Sequence, residues 1–328
     1  MKLKNYGLNY QGSKNGIVEL LCNYYLPLKK ETIFWDIFGG GGAISHYVLK
    51  NNLCKNVIYN ELNKTVFDGI KNAFYGNLKM PNEFITKEKF NSNDSNQVFI
   101  YSFNGRINTY AFGEYEELKE HAYFNFVFKN DAKLFIDLFN FNLNNYLNFE
   151  NNQIENRWLF LKKIIKEEII KNKIQSDFLK KYSLKHNLKN LLMFKTYENF
   201  QRVKNMVLTD EEKEKLCLFN KNYKDLNLKF LNLLNKKKQD YVIYCDPPYD
   251  NTTEYCFNKR KFNFQEFLNN VRKIDNIFIS SYEINDPDFV SIMKLSKTNN
   301  FNKKTVFENL YTNKKTLAHY QPKLITLF

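Results

Sequence analysis

The sequence predicts an α/β protein: a twisted, mostly parallel sheet with helices on both faces, interrupted by a largely helical insertion. Three observations carry this. Short apolar runs rich in β-branched and aromatic residues recur at residues 32–36, 56–61, 240–245 and 276–282, and such runs suit buried parallel strands. The first of them enters four consecutive glycines, Gly39 to Gly42, and then a helical pattern. The third is closed by Asp246-Pro247-Pro248-Tyr249, whose prolines stop the strand and stiffen the turn. Open α/β sheets place their ligands at the carboxyl ends of such strands.

The 328 residues suffice for one large domain or two smaller ones, and 43% hydrophobic content marks a globular chain. No apolar run approaches the roughly 18 residues of a membrane span. The N-terminal residues lack the apolar core of a signal peptide, so a cytoplasmic protein is expected, with no membrane partner. Five cysteines and four scattered histidines show no metal-ligand spacing, and no metal is expected. The net charge of +14 favours an acidic partner, with nucleic acid the commonest. A composition rich in Asn, Lys, Ile, Phe and Tyr also follows from an AT-rich genome, so charge alone leaves both readings open.

In chain order, Asn9-Tyr10-Gln11-Gly12-Ser13-Lys14 precedes a helical pattern beginning at Ile17. A small-residue loop before a helix can hold an anion through backbone amides and a lysine, or it is an ordinary helix start with a solvated Lys14. Asp36, Phe38 and Gly39 to Gly42 then form the strand, glycine loop and helix layout of nucleotide binding, in which glycines let a ligand approach the backbone. The loop is neither a dinucleotide fingerprint nor a P-loop. Glu61, about 25 residues after Asp36, ends the next strand and is placed to bind ribose hydroxyls.

Residues 64–80 read as a helix. Residues 97–103 and 107–112 flank Asn104-Gly105, a strong hairpin signal, so a β-hairpin over about 97–113 is expected, with Arg106 at its tip and able to enter a DNA groove. Residues 116–128, 132–139, 157–170 and 188–207 show helical periodicity, and residues 140–153 read as loop. Residues 215–219 form another short strand, followed by Asn222-Tyr223. Beyond the Asp246 turn come the basic cluster Lys259-Arg260-Lys261, a helix over 264–272 and a tail expected to pair residues 302–311 with 316–327. At the turn itself, Asp246 and the Pro247 carbonyl can accept hydrogen bonds from an exocyclic amino group while Tyr249 stacks on the base.

The glycine loop after one strand and Asp-Pro-Pro-Tyr after a later one resemble the signature pair of amino-group DNA methyltransferases. The order of the Tyr10–Lys14 loop, the Asp36–Gly42 loop, a recognition region and then Asp246–Tyr249 resembles the Dam-like group of adenine methyltransferases, in the branch common in phages and Firmicutes-type bacteria. The resemblance implies a Rossmann-like, S-adenosylmethionine-dependent methyltransferase sheet, with catalytic residues Asp246, Pro247, Pro248 and Tyr249. It further implies that Asp36, Phe38, Gly39, Gly40, Gly41, Glu61 and Asp246 hold S-adenosylmethionine, with Tyr223 near its adenine and Tyr10 and Lys14 near its amino-acid end. S-adenosylhomocysteine would be the product. Residues 1–64 and 206–328 would form the catalytic domain, and residues 65–205 a target-recognition domain. Arg106, Asn108, Lys259, Arg260 and Lys261 would contact double-stranded DNA, and a cognate restriction endonuclease is a further conceivable partner. Two departures stand out. The family often has Asn-x-Pro-Phe-Gly where this chain has Asn108-Thr109-Tyr110-Ala111-Phe112-Gly113, and Phe-Asp where it has Phe262-Asn263. The alternatives are amino methylation of cytosine, of RNA or of a protein amide, and a catalytically silent DNA-binding regulator.

Overall fold

The computed structural model describes residues 5–102, 105, 106, 108–140, 153–167, 176–226, 240–248, 262–298 and 305–320. The chain divides into two compact units. One comprises Met1–Leu78 with Asn205–Phe328, the other Lys79–Lys204.

The first unit is α/β. Its mixed, mostly parallel sheet has seven strands: β1 (Ile33–Asp36), β2 (Asn56–Asn60), β3 (Leu216–Phe219), β4 (Tyr241–Cys245), β5 (Ile277–Ser281), β6 (Phe289–Thr298) and β7 (Thr305–Asn313). Their order is β3-β2-β1-β4-β5-β7-β6. β1 to β5 run parallel, whereas β7 is antiparallel to β5 and to β6. The order 3-2-1-4-5 is that of a Rossmann-like sheet, and its direction of growth reverses between β1 and β4. The crevice beyond their carboxyl ends is therefore a ready ligand site. Asp36 pairs in register with Tyr244, so the segments leaving both strands start at the same level.

One face of β4 and β5 buries Tyr241, Ile243, Cys245, Ile277 and Ile279 against Phe264, Phe267, Leu268 and Val271 of the Phe264–Val271 helix. Asn263 caps that helix, accepting from the Glu266 amide at 2.9 Å, a task for which a short polar side chain is well suited. Toward the other end of the sheet, the Lys64–Tyr75 helix buries Val66, Ile70, Ala73 and Phe74. Phe74 meets the Tyr59 ring edge-on and Ile70 packs over Gly42. These contacts place the helix with the sheet, so the boundary falls after Leu78 rather than after residue 64. Gly76, at φ 75°, ends the helix before the expected residue 80.

The second unit is helical, with helices Ser95–Tyr101, Glu114–Lys129, Lys133–Phe139, Ile154–Ile164, Asp177–Lys185 and Lys195–Asn205 among its described residues. The expected hairpin strand at 97–103 is instead the helix Ser95–Tyr101, capped by Asp94, which accepts from the Asn96 amide at 2.9 Å. Val98, Phe99, Ile100 and Tyr101 are all buried, and a short run that is apolar on every side suits a buried helix as well as a strand. Of the hairpin, a single antiparallel bridge between Ser102 and Tyr110 remains, with the Ala111 amide donating to the Tyr101 carbonyl. The Asp177–Lys185 helix was not expected; Ser176 caps it. The segment expected as one helix from 188 divides into a 3-10 turn, Leu188–Leu192, and the Lys195–Asn205 helix. Buried Lys119 joins them to the Glu114–Lys129 helix, bonding Glu116 at 2.6 Å and the Met193 carbonyl at 3.0 Å.

The tail also differs from expectation. β7 pairs with β5 and β6, and Asn313 ends it by capping the short Lys314–Leu317 helix; residues 321–327 of the expected partner segment lie outside the described residues. Among the described residues no helix is long and apolar enough to cross a membrane.

Candidate functional site

At the β1/β4 switch point lies a cavity of about 930 Å³, toward the upper end of the range for small-ligand sites. It gathers residues far apart in the sequence: Tyr10 and Lys14 from the N-terminal loop, Asp36, Phe38 and Gly39 to Gly41 after β1, Glu61 after β2, Tyr223 after β3, and Asp246, Pro247 and Pro248 after β4. Tyr249, Lys259, Arg260 and Lys261 lie outside the described residues. Arg106 and Asn108 belong to the helical unit. Arg106 is half-buried and follows a helix rather than topping a hairpin; Asn108 adopts a left-handed φ of 67°.

The glycine loop is shaped by packing. A Cβ on Gly39 would stand 2.1 Å from Tyr59 Cε2, and one on Gly41 would stand 2.6 Å from Tyr10 Cβ. Clearance expected to serve a ligand at these two positions is thus filled by the protein's own side chains. Tyr59 also donates its hydroxyl to the Gly40 carbonyl at 2.7 Å. The N-terminal segment is stitched onto the same loop: the Leu8 amide donates to the Gly41 carbonyl, and the Gly7 amide to His46 Nδ1 at 3.2 Å. Burial, with Lys50 nearby, lowers the His46 pKa to about 3, so the ring stays neutral and remains an acceptor.

Four carboxylates line the cavity: Glu266, paired with Lys224, and three at or just after strand ends. Asp36 is buried; burial pushes its pKa up to about 7, against the Ser45 hydroxyl that donates to Oδ2 at 2.6 Å. The negative charge of Asp246 adds to the rise. Glu61 accepts from the Gly40 amide at 3.0 Å and the Asn63 amide at 2.8 Å, and burial again raises its pKa. Asp246 meets the buried Lys14 ammonium, with Nζ 2.5 Å from Oδ2. Lys14 also lies 3.0 Å from Glu308 Oε1 on β7. Burial works against the Lys14 charge, yet Asp246, Tyr244 and Glu308 together hold its pKa above the ordinary lysine value.

Part of the cavity wall is aromatic. Phe38, Tyr223 and Phe262 line it and cluster with the core residue Phe267 behind them, ring centroids 5.4–5.9 Å apart. Asn60 ties its surroundings together, donating to the Ile37 and Lys221 carbonyls and accepting from the Lys221 amide.

No family model and no curated protein matches the chain. The site therefore rests on its own geometry. It combines aromatic rings suited to a flat ligand ring, a buried Asp36 and a half-buried Glu61 suited to hydroxyl or cationic groups, and an ion-paired aspartate beside two proline carbonyls. Sequence reading missed Ser45, Phe262, Phe267 and Glu308. Ser45 stands close to the glycine loop, and Phe262 belongs to the Phe262-Asn263 pair noted above without a site role. For Glu308 the one signal is a charged residue inside the apolar run Val306-Phe307-Glu308-Asn309-Leu310.

Proposed function

We propose that the protein is an S-adenosylmethionine-dependent DNA adenine methyltransferase of the Dam-like group, acting on the exocyclic amino group of an adenine turned out of double-stranded DNA. The observation that carries this reading is the meeting of the glycine loop after β1 and the Asp246-Pro247-Pro248 turn after β4 in one cavity, with its aromatic and acidic subsites between and beside them. The residues suit the proposed cosubstrate: Phe38 and Tyr223 for its adenine, Glu61 for its ribose hydroxyls, and Asp36 as a buried acid whose ionisation a cationic ligand would favour. S-adenosylmethionine supplies a methyl group on a sulfonium, open to attack by an amine lone pair.

The chain supplies position and charge. An adenine amino nitrogen is a poor nucleophile because its lone pair is delocalised into the ring. Asp246 and the Pro247 carbonyl, accepting its two hydrogens, favour a more tetrahedral nitrogen with its lone pair directed at the methyl carbon. Lys14 fixes the Asp246 carboxylate through Oδ2. Extruding the base costs a few kcal/mol, which stacking on Tyr249 would partly offset at roughly 1–3 kcal/mol. The Lys79–Lys204 unit is the proposed DNA-recognition domain.

The test is transfer of labelled methyl from S-adenosylmethionine to unmethylated DNA, followed by nucleoside analysis. Label in N6-methyldeoxyadenosine is expected. Label only in cytosine, or only with RNA as acceptor, reassigns the substrate, and absence of transfer to any nucleic acid overturns the reading.

A further inference from the structure

Glu308 lies on β7, an interior strand of the sheet distant in sequence from every motif at the cavity, yet its carboxylate is buried and touches the Lys14 ammonium. Lys14 thus has two carboxylates within salt-bridge distance, Asp246 at 2.5 Å and Glu308 at 3.0 Å. Two carboxylates on one nitrogen stand within roughly 6 Å of each other, close enough for their charges to interact through the shared ammonium. A lysine needed only to neutralise Asp246 would require no second acid, and a buried acid is costly without a partner.

We propose that Glu308 is a positioning residue: by sharing the Lys14 ammonium it lets Asp246 act as a stronger proton acceptor than a simple Lys–Asp pair would provide. The inference rests on reading Asp246 as the acceptor of the amino hydrogens. In that reaction the amino nitrogen forms the N–C bond as the sulfonium C–S bond breaks, its electron pair staying with sulfur. The positive charge passes to the nitrogen, which must then lose a proton, and Asp246 is the carboxylate beside it. A full, unshared ion pair with Lys14 would hold Asp246 at low basicity when that proton leaves.

Several described residues from different elements face Asp246. Lys14 comes from the N-terminal loop, Asp36 from the end of β1, Tyr244 and Cys245 from its own strand, and Tyr282 and Glu308 from the β5 end and β7. Tyr282 is held by its carbonyl, which accepts from Asn309 Nδ2, next to Glu308. Among these groups Glu308 is the acid that shares the Lys14 nitrogen with Asp246.

The test is a carbon-detected NMR titration of the Asp246 carboxyl in the full chain, with no DNA present, for the wild type and Glu308→Gln. In the variant the Asp246 midpoint is expected to fall by about 1 in pKa, the scale of one close like charge. An unchanged midpoint in folded Glu308→Gln overturns the proposal. Should that variant not fold, the wild-type curve decides: sharing predicts a two-step Asp246 titration, and a single simple step overturns it. Methyl transfer is measured in parallel. A shifted midpoint with no transfer by the wild type leaves the shared ion pair standing and defeats the assigned reaction instead. With transfer present, Glu308→Gln is expected to lower kcat about tenfold or more while leaving KM for S-adenosylmethionine within about twofold, with the acid limb of the pH–rate profile moved to lower pH.

Discussion

The Tyr59 ring occupies the space into which a Gly39 Cβ would project, 2.1 Å from Tyr59 Cε2, while its hydroxyl holds the Gly40 carbonyl at 2.7 Å. β2 thereby fixes the loop that follows β1. Gly39→Ala is expected to destabilise the fold by about 1–3 kcal/mol, the cost of overpacking a well-filled core. Chemical denaturation checks this. Gly41→Val is expected to weaken S-adenosylmethionine binding by displacing Tyr10 from the cavity wall, because its Cβ meets Tyr10 and not open space. Calorimetry on the folded variant reads the affinity, and an unchanged value excludes that role for the Tyr10 wall.

Asp36 predicts a pH dependence. Its folded pKa is about 7, and an unfolded aspartate titrates near 4. Between those values the folded state retains a proton that the unfolded chain has released, so this group makes stability fall as pH rises from about 4 to about 7, with no further loss above. Asp36→Asn should give a shallower decline across that window, measured by thermal melts at a series of pH values. Cation binding beside Asp36 favours its ionised form. At pH 6, S-adenosylmethionine binding should therefore release protons, visible as a dependence of calorimetric heat on buffer ionisation enthalpy, and Asp36→Asn should abolish most of it.

The central strands β1 and β4 were legible because buried parallel strands are largely apolar and these two run into residues that cannot continue a strand, Gly39 and Pro247. The cavity was legible for the same reason, since its walls are those strand ends. The Ser95–Tyr101 helix was misread because its apolar run, Val98 to Tyr101, is too short to carry a decisive period, and the Asp94 cap outweighed the Asn-Gly signal downstream. Glu308 was illegible for a different reason. Its partner Lys14 lies almost the whole chain away, and only the placement of β7 next to β5 brings the two together.

Asp246→Asn should lower methyl transfer by about 10²–10³-fold, the usual loss when one preorganised hydrogen-bonding group at a reacting atom is replaced. The fold should survive, because Lys14 keeps Glu308 as a counter-ion. Single-turnover rates together with S-adenosylmethionine affinity separate chemistry from binding. Turnover at the wild-type rate would remove Asp246 from the mechanism.

The last prediction concerns the DNA-reading surface. Arg106 does not crown a β-hairpin, which weakens the geometric case for its insertion into a groove. Charge points elsewhere in the helical unit. Residues 157–204 carry 13 Lys and Arg against 4 Asp and Glu, a net of +9, whereas residues 79–156 carry 7 against 11. Not all of these cations are available. Arg157 is buried and donates through Nε to the Val127 carbonyl at 2.6 Å, so it serves the core. Lys163, Lys166 and Lys181 are exposed. If they contact phosphates, each change to alanine should weaken DNA binding evenly across sequences and reduce the salt slope by about 0.9. Arg106→Ala should change affinity by less than about 1 kcal/mol at the proper site, below the 1–3 kcal/mol expected of a bidentate guanine contact. Affinities for matched and single-mismatch duplexes at several salt concentrations decide between them. A loss of discrimination at one base position in Arg106→Ala, with the lysine variants unaffected, would return the reading surface to the segment around residue 106.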